Sequence, residues 1–179
     1  MRIISGQWRG RTLVAPKGDA TRPTADRTRE GLFSMLVSRI GSFEGLKVAD
    51  LFAGSGALGF EALSRGAASC VFVEQDGAAL DAIRANALKL GVRPEIRAQS
   101  ATALGGAPEP FDLILMDPPY GTSAGVVALE RLARLGWIGP ATLISIETSK
   151  SETPEVKGFE IDTQRDYGKA RITLFRAEP

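Results

Sequence analysis

The apolar and polar residues of this chain follow two patterns. Short, mostly apolar runs of the kind that form buried strands are separated by longer stretches in which apolar residues recur at helical spacing. The helical spacing predicts helices at 26–40, 78–90 and 126–135, and a further helix that follows the glycine-rich turn and ends near residue 65. The apolar runs predict strands at 48–52, 71–73, 95–97, 111–116, 143–146, 159–164 and 171–175.

The order of these elements predicts an α/β fold. Strands that alternate with helices form a doubly wound, mostly parallel sheet, here of seven strands. The last two strands have no helix between them and are joined by a turn at Tyr167-Gly168, so we expect an antiparallel hairpin at the C-terminal edge. A chain of 179 residues is expected to form one domain, 1–179.

Residues 1–21 predict a small β-hairpin arm beside a core formed by 22–179. Ile3-Ile4 and Thr12-Leu13-Val14 flank a basic segment that contains Trp8. Residues 1–40 hold eight Lys/Arg and three Asp/Glu, a balance of +5, whereas the other 139 hold 14 and 18, a balance of −4. Such an arm is typical of polyanion binding, but a solvated surface explains the charge equally well. Trp8 has two equally supported interpretations, stacking on RNA and packing on the core.

The composition removes several kinds of chemistry. The chain has one cysteine and no histidine, which excludes an intramolecular disulfide, Ser-His and Cys-His catalysis and most transition-metal sites, so no metal is expected. Cys70 begins a buried strand and is interpreted as a core residue rather than a nucleophile. Neither a signal peptide nor a membrane span is evident, so a cytoplasmic location and no membrane partner are expected.

A turn with unusual chemistry follows the strand at 111–116. Asp117-Pro118-Pro119-Tyr120 cannot extend that strand, because the two prolines lack the N–H that a ladder needs. Open α/β sheets bind ligands at the carboxyl ends of their strands. The turn presents a carboxylate, the Pro118 carbonyl and an aromatic face there. These acceptors can hold an amino group on a flat ring while Tyr120 stacks on the ring.

A glycine motif, G-x-G-x-x-G, lies at 54–59 between a strand and a helix. Its glycines permit a tight turn and close approach of a ligand to the helix N-terminus. Glu74, at the end of the next strand, is placed to bind ribose hydroxyls. This pattern fits NAD as well as S-adenosylmethionine. Asp50 favours S-adenosylmethionine, because its carboxylate would attract the methionine ammonium and repel a pyrophosphate.

Together these motifs resemble the Rossmann-like class I S-adenosylmethionine-dependent methyltransferases that modify exocyclic amino groups. Arg2-Ile3-Ile4-Ser5-Gly6 and Arg22-Pro23-Thr24 with Arg27, read with the glycine motif, narrow the resemblance. Over nearly the full chain they are similar to the bacterial 16S rRNA guanine-N2 methyltransferase family of the small ribosomal subunit. The resemblance implies methylation of a guanine N2 amine in 16S rRNA, with the rRNA or the small ribosomal subunit as partner.

The resemblance also implies roles for individual residues. Glu74 would hold the ribose, and Ser100, which departs from the acidic or Asn residue usual at its position, would pack with Ala101 on the adenine. The cofactor residues are Thr24, Arg27, Asp50, Gly54, Gly56, Glu74, Ser100 and Ala101; the catalytic residues are Asp117, Pro118 and Tyr120; the RNA-binding residues are Arg9, Arg11, Pro119 and Tyr120.

Other interpretations fit part of the pattern. Adenine-N6 DNA methyltransferases share the D-P-P-Y motif but usually carry a separate recognition domain. A nicotinamide-dependent oxidoreductase would use the glycines but not residues 117–120, and a non-catalytic RNA-binding module would use only the basic arm. Glu147 and the turn Tyr167-Gly168-Lys169 are further candidates for the border of the site. The sequence does not indicate which guanine is the target.

Overall fold

The structure, a computed structural model, describes residues 1–17 and 23–179, with only the backbone at 23 and 24. All the helices and strands expected from the hydrophobic pattern are present. The helices are α1 (Pro23–Ile40), α2 (Ala57–Ser64), α3 (Gly77–Leu90) and α4 (Ala124–Arg134), with a short 3₁₀ helix at Ala101–Ala103. The strands are β1 (Lys47–Leu51), β2 (Ser69–Glu74), β3 (Glu95–Ala98), β4 (Phe111–Met116), β5 (Ile138–Ser149), β6 (Phe159–Tyr167) and β7 (Ala170–Ala177).

The seven strands form one sheet in the order β3-β2-β1-β4-β5-β7-β6. Strands β1 to β5 pair in parallel, and β7 pairs antiparallel with both β5 and β6. The expected doubly wound sheet with an antiparallel C-terminal hairpin is therefore confirmed. The strand order reverses between β1 and β4, which places the topological switch point at their carboxyl ends.

Apolar residues from alternate positions of the strands fill a core on each face of the sheet. Val48 of β1 packs in the core that contains Phe33 of α1 and Phe60 of α2. The next residue, Ala49, packs on the other face with Leu129 of α4 and with Trp137. This alternation follows from the two-residue period of a strand. Cys70 is buried in the first core, so its interpretation as a core residue is confirmed.

The N-terminal segment lies against α2 and α3. Its expected hairpin is present but short: Arg2 pairs antiparallel with Thr12, the N–H of Ile3 donates to the Arg11 carbonyl (2.9 Å), and the N–H of Leu13 donates to the Met1 carbonyl (2.8 Å). The buried Glu61 carboxylate of α2 accepts hydrogen bonds from the backbone N–H groups of Ile4 (2.8 Å) and Ser5 (3.1 Å). A buried carboxylate with several donors is a strong anchor, and the described part of the arm is therefore an integral layer of the domain.

Helix α1 begins at Pro23, three residues before the expected start, because a proline is well tolerated in the first turn of a helix. Arg29 of this helix is buried, and its guanidinium donates to the Arg2 carbonyl. The structure therefore gives Arg29 a role in holding α1 to the N-terminal segment. Among the described residues, no helix is both long and apolar enough to cross a bilayer.

Candidate active site

The turn after β1 is built from residues in left-handed backbone conformations. Phe52 (φ 57°) and Gly54 (φ 59°) both have positive φ, which is uncommon for a residue with a side chain. A Cβ atom placed on Gly54 would meet only open space, so its backbone is accessible to a ligand. A non-glycine residue held at positive φ beside such a turn is typical of a functional site.

The other glycines of the motif are needed for a different physical reason. A Cβ on Gly56 (φ 81°) would lie 2.7 Å from the Phe60 ring, and one on Gly59 would lie 2.4 Å from the Phe72 ring. Both glycines thus allow α2 to pack closely on the sheet. Of the two glycines expected to approach the cofactor, the geometry favours Gly54, and the contribution of Gly56 stays a prediction.

Glu74, at the end of β2, organises the glycine turn. The N–H of Gly54 donates to its Oε1 (2.9 Å), and the N–H groups of Gln75 (2.9 Å) and Asp76 (2.8 Å) donate to its Oε2. The side chain is only partly buried. Carboxylate oxygens have room for further donors. Glu74 can therefore accept hydrogen bonds from a ribose while it keeps the turn in place.

Asp50 lies beneath the same turn, with 1% of its surface exposed. Its Oδ2 accepts a hydrogen bond from the N–H of Gly59 (2.9 Å), whereas its Oδ1 has no partner within the described residues. Burial raises the pKa of Asp50 well above its usual range, and the negative charges of Asp117 and Glu74 raise it further. A cation bound beside these carboxyl groups would relieve that repulsion, which fits the sulfonium and ammonium charges of S-adenosylmethionine.

Asp117 follows β4 directly, beside the end of β1. The two prolines end the strand as expected, and Pro118 is buried against Gly125 at the start of α4. Tyr120 is 46% exposed, and its hydroxyl donates to Glu147 Oε2 at 2.6 Å. The turn therefore presents its carboxyl group and its aromatic ring at the switch point, as the sequence predicts.

Two carboxyl groups meet at this point, because Glu147 lies near the end of β5. Met116 of β4 pairs with Ile146 of β5, so Asp117 and Glu147 occupy matching positions. Burial, followed by the negative charge of Glu147, raises the pKa of Asp117 to about 8. Burial also raises the pKa of Glu147, although the Tyr120 hydroxyl opposes this. Protein atoms surround the Asp117 carboxyl group, but the residue as a whole is exposed to solvent. Water therefore screens part of the repulsion between Asp117 and Glu147.

A cleft of about 440 Å³ opens beside the proline turn. Pro118 and Pro119 form one wall, and the loop at 152–155 after β5 forms another. Glu152 ties the two walls together, since its carboxylate accepts hydrogen bonds from the N–H groups of Gly121 (3.1 Å) and Ser149 (3.0 Å). The cleft has the size of a small-molecule site and lies next to Asp117, Tyr120 and Glu147, which are not among the residues that line it.

The remaining candidate residues lie around this centre or away from it. Ser100 caps the 3₁₀ helix by accepting a hydrogen bond from the N–H of Thr102 (3.2 Å), and Ala101 is buried. Arg27 is exposed on α1, and the side chain of Thr24 and the whole of Arg22 lie outside the described residues. These cofactor assignments stay predictions.

The basic residues of the arm lie at the surface. Arg9 is exposed, and the Arg11 guanidinium, also exposed, donates to the Lys89 carbonyl of α3 (2.8 Å). Trp8 is partly buried against the core, so packing accounts for much of this side chain. Contact between these residues and RNA stays a prediction.

Sequence reasoning missed two acidic residues, Glu61 and Glu152. Both bind backbone N–H groups of segments that are distant in sequence, and neither belongs to a local motif. The sequence does predict that Glu147 and the turn Tyr167-Gly168-Lys169 lie near the border of the site. The turn at Gly168-Lys169 is present, and the Lys169 carbonyl accepts a hydrogen bond from the N–H of Lys150 (2.9 Å), in the loop that leads to the cleft.

Comparison with known proteins agrees with this geometry. A family described as Conserved hypothetical protein 95 matches residues 1–176. The Ribosomal RNA small subunit methyltransferase D of Escherichia coli strain K12 is 38% identical over 182 residues, which cover 99% of this chain and 90% of that protein. The Putative rRNA methyltransferase YlbH of Bacillus subtilis is 34% identical over 184 residues, 98% of each chain.

The fold comparison leads to the same group. The solved structure of the putative methyltransferase yhhF from Escherichia coli has a TM-score of 0.84 and 30% sequence identity, and the match covers 100% of this chain and 98% of that one. The chain therefore belongs to the Conserved hypothetical protein 95 family, which groups it with the Ribosomal RNA small subunit methyltransferase D proteins, and it has their class I methyltransferase fold.

Proposed function

We propose that the chain methylates the exocyclic N2 amine of a guanine in 16S rRNA of the small ribosomal subunit. The observation that carries this proposal is the meeting of Asp117, Tyr120 and Glu147 beside the glycine turn, at the switch point of the sheet. The relatives named as rRNA methyltransferases support the rRNA as substrate. A ribosomal substrate also agrees with the cytoplasmic location expected from the sequence.

S-adenosylmethionine is the cofactor of this class of enzyme. When bound, it supplies a methyl group that is electrophilic because a positively charged sulfur carries it. In the proposed site, the open face of Gly54 and the Glu74 carboxylate would hold the cofactor from the ends of β1 and β2. The acidic group formed by Asp50, Glu74 and Asp117 would favour its positive charge.

The proline turn would prepare the target amine. An amine on a purine is a poor nucleophile, because its lone pair is delocalised into the ring. The Asp117 carboxylate and the Pro118 carbonyl are two acceptors on one rigid turn, and they would bind the two N–H groups. This favours a tetrahedral nitrogen with an exposed lone pair. Positioning of this kind can supply about 7–11 kcal/mol of the barrier reduction.

The target base must leave its stack to reach this site. The cleft beside Pro118 and Pro119 offers space for a nucleobase, and the half-exposed Tyr120 ring offers a stacking surface. Stacking of a base on an aromatic side chain contributes about 1–3 kcal/mol. These features support a single flipped or unpaired nucleotide as the substrate.

The modified nucleoside tests the proposal. Small-subunit RNA from a strain without the protein is incubated with the purified enzyme and S-adenosylmethionine labelled in its methyl group, then digested to nucleosides and analysed by mass spectrometry. The proposal predicts that N2-methylguanosine is the labelled nucleoside, and that about one methyl group is incorporated per RNA molecule. Label in N6-methyladenosine, or in a ring nitrogen, would assign a different target. The absence of transfer both to the free RNA and to assembled small subunits from the same strain would overturn the proposal.

A further inference from the structure

A side-chain hydrogen bond that crosses between two strand ends holds the Tyr120 ring. Its hydroxyl donates to Glu147 Oε2 at 2.6 Å, although the residue as a whole is 46% exposed. Glu147 itself is half-buried and extends from β5, next to the central strand β4. A short O–H···O⁻ hydrogen bond to a partly buried carboxylate is stronger than an ordinary one. Glu147 therefore determines where the aromatic face stands.

Glu147 also faces the carboxyl group of Asp117. The pairing of Met116 with Ile146 brings the two acidic residues to matching positions on neighbouring strands. Two carboxyl groups at such a place cannot both ionise freely, because like charges repel strongly where protein replaces water. The proposed function requires an Asp117 that accepts N–H groups, and only the ionised carboxylate does so with both oxygens.

We propose that Glu147 is a positioning residue of the methyl-transfer site, which both holds the Tyr120 ring and controls the charge on Asp117. This inference rests on the proposed function, since it assigns Glu147 to the same target pocket. In the free enzyme the pair retains one proton. The N–H groups of the target amine stabilise the ionised form of Asp117, so binding of the correct substrate releases that proton to the solvent, which reaches the exposed Asp117 residue.

The other charged groups near the pair do not supply an alternative cause. Asp50 of β1 and Glu74 of β2 add negative charge at the neighbouring strand ends, and Glu152 adds negative charge beside Tyr120. On β7, the strand paired with the end of β5, Arg171 is engaged with Asp166 through two hydrogen bonds. Within the described chain, Glu147 is the group whose charge raises the pKa of Asp117.

A pH profile of methyl transfer tests the control of charge. Single-turnover rates on small-subunit RNA are measured from pH 5.5 to 9 with RNA and enzyme well below KM, because only the second-order rate constant reports ionisation in the free enzyme. The Glu147→Gln variant loses the charge but keeps an oxygen that accepts the Tyr120 hydroxyl. The rate of this variant should reach its plateau at a lower pH than the wild-type rate does. When each rate at pH 6 is expressed as a fraction of that protein's own plateau rate, the variant should exceed the wild type by about tenfold or more.

A matched control removes a charge elsewhere. Glu160 is exposed on β6 at the opposite end of the sheet, so Glu160→Gln should leave the profile unchanged. Glu147→Leu, which cannot accept the Tyr120 hydroxyl, should raise KM for RNA more than Glu147→Gln does. A Glu147→Gln profile that coincides with that of the wild type would overturn the proposal, and so would equal KM values for the two Glu147 variants.

An infrared titration without RNA separates this inference from the proposed function. The free wild-type protein should show C=O absorption from protonated carboxyl groups at pH 7, to which Asp50 can also contribute, and the difference spectra should show that both Asp117→Asn and Glu147→Gln weaken it. If both variants weaken the band but no guanine is methylated, the inference that Asp117 and Glu147 retain one proton stands and the proposed guanine target is wrong. If the band is insensitive to Glu147→Gln while methylation occurs, the function stands and Glu147 has no control over Asp117.

Discussion

Single residues at the carboxyl ends of β1, β2 and β4 perform distinct tasks. Gly54 leaves space for a ligand, whereas Gly56 and Gly59 leave space for phenylalanine rings of the core. Asp50 supports the start of α2 from below through the N–H of Gly59, and Glu74 supports the turn through the N–H of Gly54. The proposed cofactor site is thus held together by hydrogen bonds between acidic side chains and backbone N–H groups.

Replacement of Glu74 by alanine should weaken S-adenosylmethionine binding by about 1.5–3 kcal/mol, because a charged acceptor for ribose and for the glycine turn is lost. Isothermal titration calorimetry measures the loss. The charge control Glu160→Gln should bind as tightly as the wild type. Equal affinity in a folded Glu74→Ala protein would remove Glu74 from the cofactor site.

The sequence predicts some of these residue roles better than others. The break at Asp117 is predictable because two prolines cannot pair in a sheet, and the position of Glu74 follows from the strand that it ends. The role of Asp50 in capping the turn to α2 is not predictable. An acidic residue before a glycine motif looks the same in the sequence whether it faces a ligand or a backbone N–H group.

At the scale of elements, the packing of the N-terminal segment is the feature that the sequence predicts least. The apolar residues that flank its basic turn predict the hairpin, but they do not predict that it binds α2 and α3 through Glu61, Ser64 and Asn86. These contacts connect residues more than 50 positions apart, which no local pattern encodes. The strands and helices of the core were predictable because each has its own hydrophobic period.

Replacement of Arg9 and Arg11 together by alanine should weaken RNA binding and reduce its salt dependence, by up to about one slope unit per lost phosphate contact. Both residues are exposed, so the fold and the cofactor affinity should barely change. Binding to small-subunit RNA fragments is measured over a salt series.

The matched control for this arm variant is Arg134→Ala with Lys157→Ala, which removes two exposed positive charges from α4 and the loop after β5. If the arm binds RNA, the control retains the wild-type slope. Parallel salt slopes for all three proteins would show that the arm is only a solvated surface.

At the scale of the whole molecule, the sheet gathers acidic residues at one end. Asp50, Glu74, Asp117 and Glu147 come from four different strands and meet where the strand order reverses. The raised pKa values of Asp50, Asp117 and Glu147 mean that the folded protein holds protons that the unfolded chain releases. These groups therefore stabilise the fold at low pH, and the contribution is lost as pH rises towards about 8, the pKa of Asp117.

Replacement of Asp117 by asparagine removes one of these titrating groups. The variant should lose less stability than the wild type between pH 5 and pH 8, and it should be the more stable protein at pH 8. Because water screens Asp117, a difference of about 1 kcal/mol is expected, or about 2–4 °C in Tm. Thermal melting of the free proteins at several pH values measures this. Parallel pH dependences would contradict a raised pKa at Asp117.

The central claim is that Asp117 accepts the target amine while other residues hold the cofactor. The most direct measurement compares S-adenosylmethionine affinity and single-turnover methyl transfer to small-subunit RNA in the wild type and in Asp117→Ala, with Glu160→Gln as control. The account predicts near-normal cofactor affinity in Asp117→Ala and a loss of transfer of at least about a hundredfold, the scale expected for one preorganised electrostatic contact. Near-normal transfer in a folded Asp117→Ala protein would contradict it.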